Sequence, residues 1–95
     1  MPSADFEAWE LFVAVADSGS LAGAARARGL SVPTVSRAIA RLEARLGGAL
    51  FHRSTRKLAL SSLGREALGE AQALVAAAQA MEARLGEART EARGL

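Results

Sequence analysis

The chain has no cysteine, so it can build neither a disulfide scaffold nor a thiolate zinc site, and it suits a reducing compartment. Aromatic residues make up only 4% of it, and tyrosine is missing altogether. A β-sandwich needs more aromatic and β-branched residues than that, whereas the alanine-rich apolar fraction favours packed helices. His52 is the only histidine, which leaves no partner for a conventional metal site and makes an exposed surface residue the simpler reading. No glycine-rich phosphate loop and no nucleophile–base pair can be found, so the sequence carries no catalytic constellation, and no cofactor is implied. The first residues, Met1 to Glu7, are acidic and poor in apolar side chains, unlike a secretory signal. Every apolar stretch is broken by charge well short of a membrane span. With 95 residues there is room for one domain, whose modest core leaves a place for stabilisation by a partner surface.

Net charge is only +2, but it is unevenly spread. The first 17 residues hold Asp5, Glu7, Glu10 and Asp17 and no base. Residues 18–65 hold Arg26, Arg28, Arg37, Arg41, Arg45, Arg53, Arg56, Lys57 and Arg65 against Glu43 alone. The remainder is mildly acidic, with Glu66, Glu70, Glu82, Glu87 and Glu91 against Arg84, Arg89 and Arg93. A basic block between acidic ends reads as a polyanion-binding surface set among ordinary solvated helices. An arginine-rich surface without a partner would have the same composition, so the placement of these bases has to decide.

Phe6, Trp9, Phe12, Val13 and Ala16 recur at helical spacing and predict a first amphipathic helix, started by Ser3 or Asp5 and stopped at Ser18-Gly19. Trp9 falls on its apolar stripe, a core position. Ser20 then caps a short helix from Leu21 to about Arg28, closed by Gly29. After the tight Gly29-Leu30 turn, Ser31 caps a third helix with Pro33 in its first turn, where a missing N–H costs nothing. This helix runs through Val35, Ile39, Leu42 and Leu46 to the Gly47-Gly48 break. Two helices joined by a short glycine-containing turn, at about residues 20–39, form a helix-turn-helix. Leu50–Arg53 and Lys57–Leu60, separated by Ser54, Thr55 and Arg56, predict a small hairpin over residues 50–60, with Leu50, Leu58 and Leu60 inward and Arg53 and Lys57 in water. Ser61 caps a final helix without proline that extends to about residue 92. The expected fold class is therefore mainly α: three helices and a β-hairpin wing over residues 4–61, then a long linker helix over residues 62–92.

On the third helix, at about 100° per residue, Val35, Ile39, Leu42 and Leu46 form the buried sector. Pro33, Arg37, Ala40 and Ala44 lie nearly opposite, flanked by Ser36 and Arg41, so the expected DNA contacts on this helix are Ser31, Val32, Pro33, Thr34, Ser36, Arg37 and Arg41. Small residues around one arginine suit a major groove, where Arg37 can reach guanine O6/N7 or a phosphate. Ser31 and Thr34 offer hydroxyl and N–H donors to a backbone phosphate at the helix N-terminus. Arg53, Arg56 and Lys57 cluster at the wing, beside phosphates or a minor groove. Arg26 and Arg28 end the second helix, where cations also favour the dipole, so a role in binding does not follow from them alone. In the last helix Ala67, Ala71, Leu74, Ala78, Met81, Leu85, Ala88 and Ala92 alternate at spacings of four and three, a heptad seam. A helix of roughly 45 Å overhangs so small a domain, so its far end calls for another chain or domain. The dimer contacts are assigned to Ala71, Leu74, Ala78, Met81 and Leu85.

Three stretches resemble the LysR-type bacterial transcription regulators: Phe12–Leu21, the Ala24-Ala25 pair with Ser31–Ile39, and Leu42-Glu43 with Leu46-Gly47 followed by Leu50–Arg53, Arg56, Leu60-Ser61 and Gly64. The resemblance covers roughly residues 5–66 without a gap. It implies a regulator in the bacterial cytoplasm, on the nucleoid, that binds promoter DNA as a dimer or dimer of dimers through its linker helices. It also implies that Ser31, Pro33, Thr34, Ser36 and Arg37 touch double-stranded DNA and that Arg53 lies at the wing. Val32 stands where the family often has glutamine, which exchanges a hydrogen bond to a base edge for apolar contact with a thymine methyl. Thr55 stands where glycine is frequent. Family members normally continue into an effector domain like the periplasmic binding proteins, and this chain stops after the linker helix. Two readings compete: another winged-helix family such as the molybdate-responsive regulators, and a helical interaction module that never meets DNA. The basic middle segment counts against the second, which has no use for bases on the exposed third-helix face.

Overall fold

The computed structural model describes residues 5–53 and 58–92, with side chains described as far as Arg89. Its elements run α1 (Phe6–Ser18), α2 (Leu21–Arg28), α3 (Val32–Leu46), β1 (Phe51–Arg53), β2 (Leu58–Leu60) and α4 (Ser62–Ala92). Local chemistry sets the ends. Asp5, Ser20 and Ser31 accept the backbone N–H three residues ahead, from Ala8, Gly23 and Thr34, which satisfies donors that a helix leaves orphaned. Ser61 does the same for Gly64 at the head of α4, at 2.9 Å. Gly19, Gly29 and Gly47 end the first three helices in the left-handed region, at φ 76°, 67° and 75°, a conformation costly to any residue with a Cβ.

The core lies where α1, α2 and α3 meet beneath the head of α4. Leu11, Phe12 and Val15 of α1 pack with Ala24 and Ala25 of α2, and with Val35, Ala38, Ile39 and Leu42 of α3. Leu50 and Phe51 close it from the strand side, where Phe51 meets Phe12 edge-on at 5.5 Å between ring centres. β1 and β2 pair antiparallel, with Phe51 opposite Leu60, His52 opposite Ala59 and Arg53 opposite Leu58. Leu58 and Leu60 are half-buried, while His52, Arg53 and Ala59 face water.

Three expectations are corrected. Leu46 is 43% exposed, because the third helix passes beyond the core before it reaches Gly47. Trp9 is only half-buried: it stacks edge-on against Phe12 but turns its other side to the surface. The buried stripe of α1 is centred instead on Ala8, Leu11, Phe12 and Val15. Ala71, assigned to a dimer interface, is 3% exposed and belongs to this chain's own core, with Leu63, Ala67 and Leu68 packed beside it. The head of α4 is therefore part of the domain rather than a free linker, and only from Leu74 onward does the seam leave it.

Candidate nucleic-acid interface

The turn at Gly29-Leu30 sets α3 across α2 and leaves one side of α3 facing water. Leu30 N–H bonds back to Ala25 O at 2.9 Å and Gly29 N–H to Arg26 O, so the turn is closed by backbone contacts alone. Along the water-facing side lie Ser31, Val32, Pro33, Arg37, Ala40, Arg41, Ala44 and Arg45, all exposed, with Thr34 and Ser36 half-buried beside them. Val32 is 41% exposed, as an apolar contact to a base methyl requires.

Three of these side chains form a row, one per turn. The Ser31 and Thr34 hydroxyls share a hydrogen bond of 2.8 Å, and the Arg37 guanidinium donates to Thr34 Oγ1 at 3.5 Å. Ser31 thus caps the helix and faces outward at once. Arg37 has no carboxylate within ion-pair reach among the described residues. The outer face of α3 therefore combines small residues, hydroxyls and an uncompensated guanidinium, the combination a major groove accepts.

The other bases divide. Arg41 donates from Nε to Asp5 Oδ2 at 2.7 Å, and this hydrogen bond is the first cause that holds the Asp5 carboxyl below its ordinary value and the Arg41 guanidinium above its own. Arg28 pairs with Glu10 at 3.5 Å, so it ties α2 to α1. Arg26, Arg45 and Arg53 are exposed and have no ion-pair partner among the described residues. Arg53 ends β1, on the same part of the chain as exposed His52. Thr55, Arg56 and Lys57 lie outside the described residues.

Sequence reasoning missed the residues that aim the wing. Glu43, on the inner side of α3, accepts the Leu50 N–H through Oε2 at 2.8 Å. Ser61 donates its hydroxyl to Ala49 O at 2.6 Å, and its N–H to Leu50 O at 2.9 Å. Gly64 lets the first turn of α4 cross Leu50 so closely that a Cβ there would collide with the Leu50 carbonyl. Glu43, Ser61 and Gly64 together lock the start of the wing to α3. All three stand among the residues that carry the family resemblance, and Ser61 was legible as a helix cap, but nothing in the sequence brought them to Leu50.

A second feature lies at the head of α4. Trp9, Leu46, Leu63, Ala67, Ala71 and Leu74 line an open apolar groove at the head of α4, edged by Glu66 and Glu70. Leu74, Met81 and Leu85 continue the apolar line along α4, 45%, 47% and 58% exposed. No helix among the described residues is long and apolar enough to cross a membrane.

The signature of the bacterial regulatory helix-turn-helix protein, lysR family, matches residues 6–65. A probable hydrogen peroxide-inducible genes activator of Mycobacterium avium is 50% identical over 72 residues, which is 76% of this chain and 23% of that protein. The chain thus spans about a quarter of the length of the curated relatives it matches. Among solved structures, the CbnR DNA-binding domain in complex with DNA superposes with a TM-score of 0.80 at 33% identity, over 90% of this chain and 98% of that one. The BenM DNA-binding domain bound to its catB site superposes with a TM-score of 0.83 at 26% identity, over 88% and 93%. The chain belongs to the LysR family of bacterial helix-turn-helix regulators, and its fold is that of their winged DNA-binding domain.

Proposed function

We propose that this chain is the DNA-binding part of a transcription regulator, which inserts α3 into the major groove of a specific duplex and binds as a dimer through α4. The observation that carries this is the outer face of α3: Ser31, Val32, Pro33, Thr34, Ser36 and Arg37 form a surface of small residues with one guanidinium that no acid among the described residues neutralises. The solved relatives that superpose over nearly their full length are DNA complexes, which supports the same reading. In this arrangement Arg37 reads a base edge, and Ser31 and Thr34 with the helix N-terminus hold a phosphate. Arg53, with Arg56 and Lys57, meets phosphates or the minor groove beside the site. The chemistry is recognition, and we assign no catalytic step.

Dimerisation is supported by α4. Its 31 residues extend about 46 Å at the ordinary helical rise, and the molecule is 56 Å in its longest dimension against 30 and 22 Å across. Burial of an exposed Leu or Met side chain contributes about 1.5–3 kcal/mol, so Leu74, Met81 and Leu85 with Ala78 favour a second copy over solvent. Two-fold pairing of two recognition helices would demand a site with dyad symmetry. Selection of bound sequences from random duplex DNA tests the whole reading. Enrichment of a dyad-symmetric site is the expected result, and enrichment of nothing would instead favour a helical interaction module.

A further inference from the structure

The arginines on the outer side of α3 differ in one respect. Arg37 touches only a hydroxyl, and Arg45 has no carboxylate within ion-pair reach among the described residues. Arg41, one turn beyond Arg37 and about 40° around the helix from it, is held by an acid from the far end of the sequence. Its Nε–Oδ2 hydrogen bond to Asp5 is 2.7 Å long and spans 36 positions of chain. The two carboxylate oxygens have separate tasks. Oδ1 caps α1 through the Ala8 N–H at 3.3 Å, and Oδ2 holds Arg41. The Asp5 side chain is 22% exposed against 52% for Arg41, so the acid is the fixed member of the pair and the base is the one that would have to move.

We propose that Asp5 restrains the DNA affinity of the domain by holding Arg41 away from the phosphates that flank the major groove. This rests on the DNA-binding reading above. A phosphate that approached Arg41 would have to displace, or sit beside, a carboxylate already anchored as a helix cap, and like charges at that distance repel. The α3 face then meets DNA with Arg37 available for a base edge and Arg41 neutralised. A phosphate contact carries no sequence information and adds equally to every duplex. Asp5 therefore sets overall affinity and salt sensitivity and leaves sequence preference to Arg37 and its neighbours. The acid lies outside the helix-turn-helix, 36 positions from the arginine it holds, which is why its role does not emerge from that motif itself.

Asp5→Asn separates the two tasks. Asparagine caps a helix as well as aspartate, but its amide offers one acceptor oxygen, so the cap survives and the hold on Arg41 is lost. Asp5→Ser, another strong cap with a single oxygen, serves as the second variant. Affinity is measured from about 50 to about 200 mM salt, the range in which phosphate contacts show, for the preferred duplex and for a random duplex. We expect each variant to bind both duplexes about 3–10-fold tighter at the low-salt end, with a log–log salt slope steeper by about 0.9, the signature of one new phosphate contact. The ratio between the two duplexes stays within about twofold of the parent. Arg41→Ala added to Asp5→Asn should abolish both the gain and the extra slope. A gain that survives in the double variant would mean that Asp5 acts only through general repulsion, and it overturns the proposal. Unchanged or weaker binding by both single variants overturns it too. A parent that binds no duplex refutes the DNA-binding reading and this inference together.

Discussion

Gly64→Ala tests the crossing that fixes the wing against the recognition helix. A Cβ at this position falls well inside contact distance of the Leu50 carbonyl oxygen, and 3.0 Å from Leu60 Cδ2. The carbonyl cannot simply withdraw, because it accepts the Ser61 N–H at 2.9 Å, and the Leu50 N–H on the same residue is held by Glu43. Overpacking of this kind costs about 1–3 kcal/mol, and loss of the Ser61 hydrogen bond adds about 1 kcal/mol. Against this, alanine is favoured over glycine inside a helix by about 1 kcal/mol. The net expectation is a loss of about 1–3 kcal/mol. Gly69, on the same helix and with nothing within 4 Å of a built Cβ, is the matched control. Gly69→Ala should gain about 0.5–1 kcal/mol from the same propensity term. Urea unfolding followed by circular dichroism, at one fixed protein concentration because a dimer's stability depends on it, measures both. In a domain of this size each kcal/mol moves the Tm by about 4–8 °C, so the two variants should separate clearly. If Gly64→Ala is as stable as Gly69→Ala, the close crossing of α4 over Leu50 is not a constraint and the account of the wing lock is wrong.

Three further outcomes follow from the interface. Arg37→Ala should cost about 1–3 kcal/mol on the preferred duplex and relax preference at one base position; an equal loss on every sequence would make Arg37 a phosphate contact. Arg53→Ala should weaken binding to preferred and random duplexes alike, and flatten the log–log salt slope by about 1, whereas unchanged affinity and slope would reduce the wing to a solvated hairpin. Replacement of Leu74 and Leu85 together by Glu should give monomers in sedimentation, where the parent sediments as a dimer. A parent that is itself monomeric would refute the seam.

What the sequence alone determined is what local chemistry decides. A serine or aspartate cap acts on the N–H three residues ahead, and a left-handed glycine ends a helix through bonds to its last turn. Hence Ser20, Ser31 and Ser61, with Gly19, Gly29 and Gly47, marked the helix limits before any packing was known. The outward row of Ser31, Thr34 and Arg37 was legible for the same reason, since periodicity within one helix sets which side chains share a face. Helical periodicity also brought out Val35, Ile39 and Leu42 as core. It could not say where the core stops along a helix, because that depends on what lies opposite. Leu46 continues the buried sector of α3 but only lines the open groove at the head of α4 and stays 43% exposed, while Ala71 continues the seam of α4 but is covered by its own domain. The same limit hides the contacts between distant segments. Asp5 with Arg41, Glu43 with Leu50, and Gly64 beneath the Leu50 carbonyl each join elements whose approach is set by the crossing of whole helices. No window of sequence holds both partners of the Asp5–Arg41 pair, so only the tertiary structure could decide which arginine of α3 is already engaged by an acid and which meets none among the described residues.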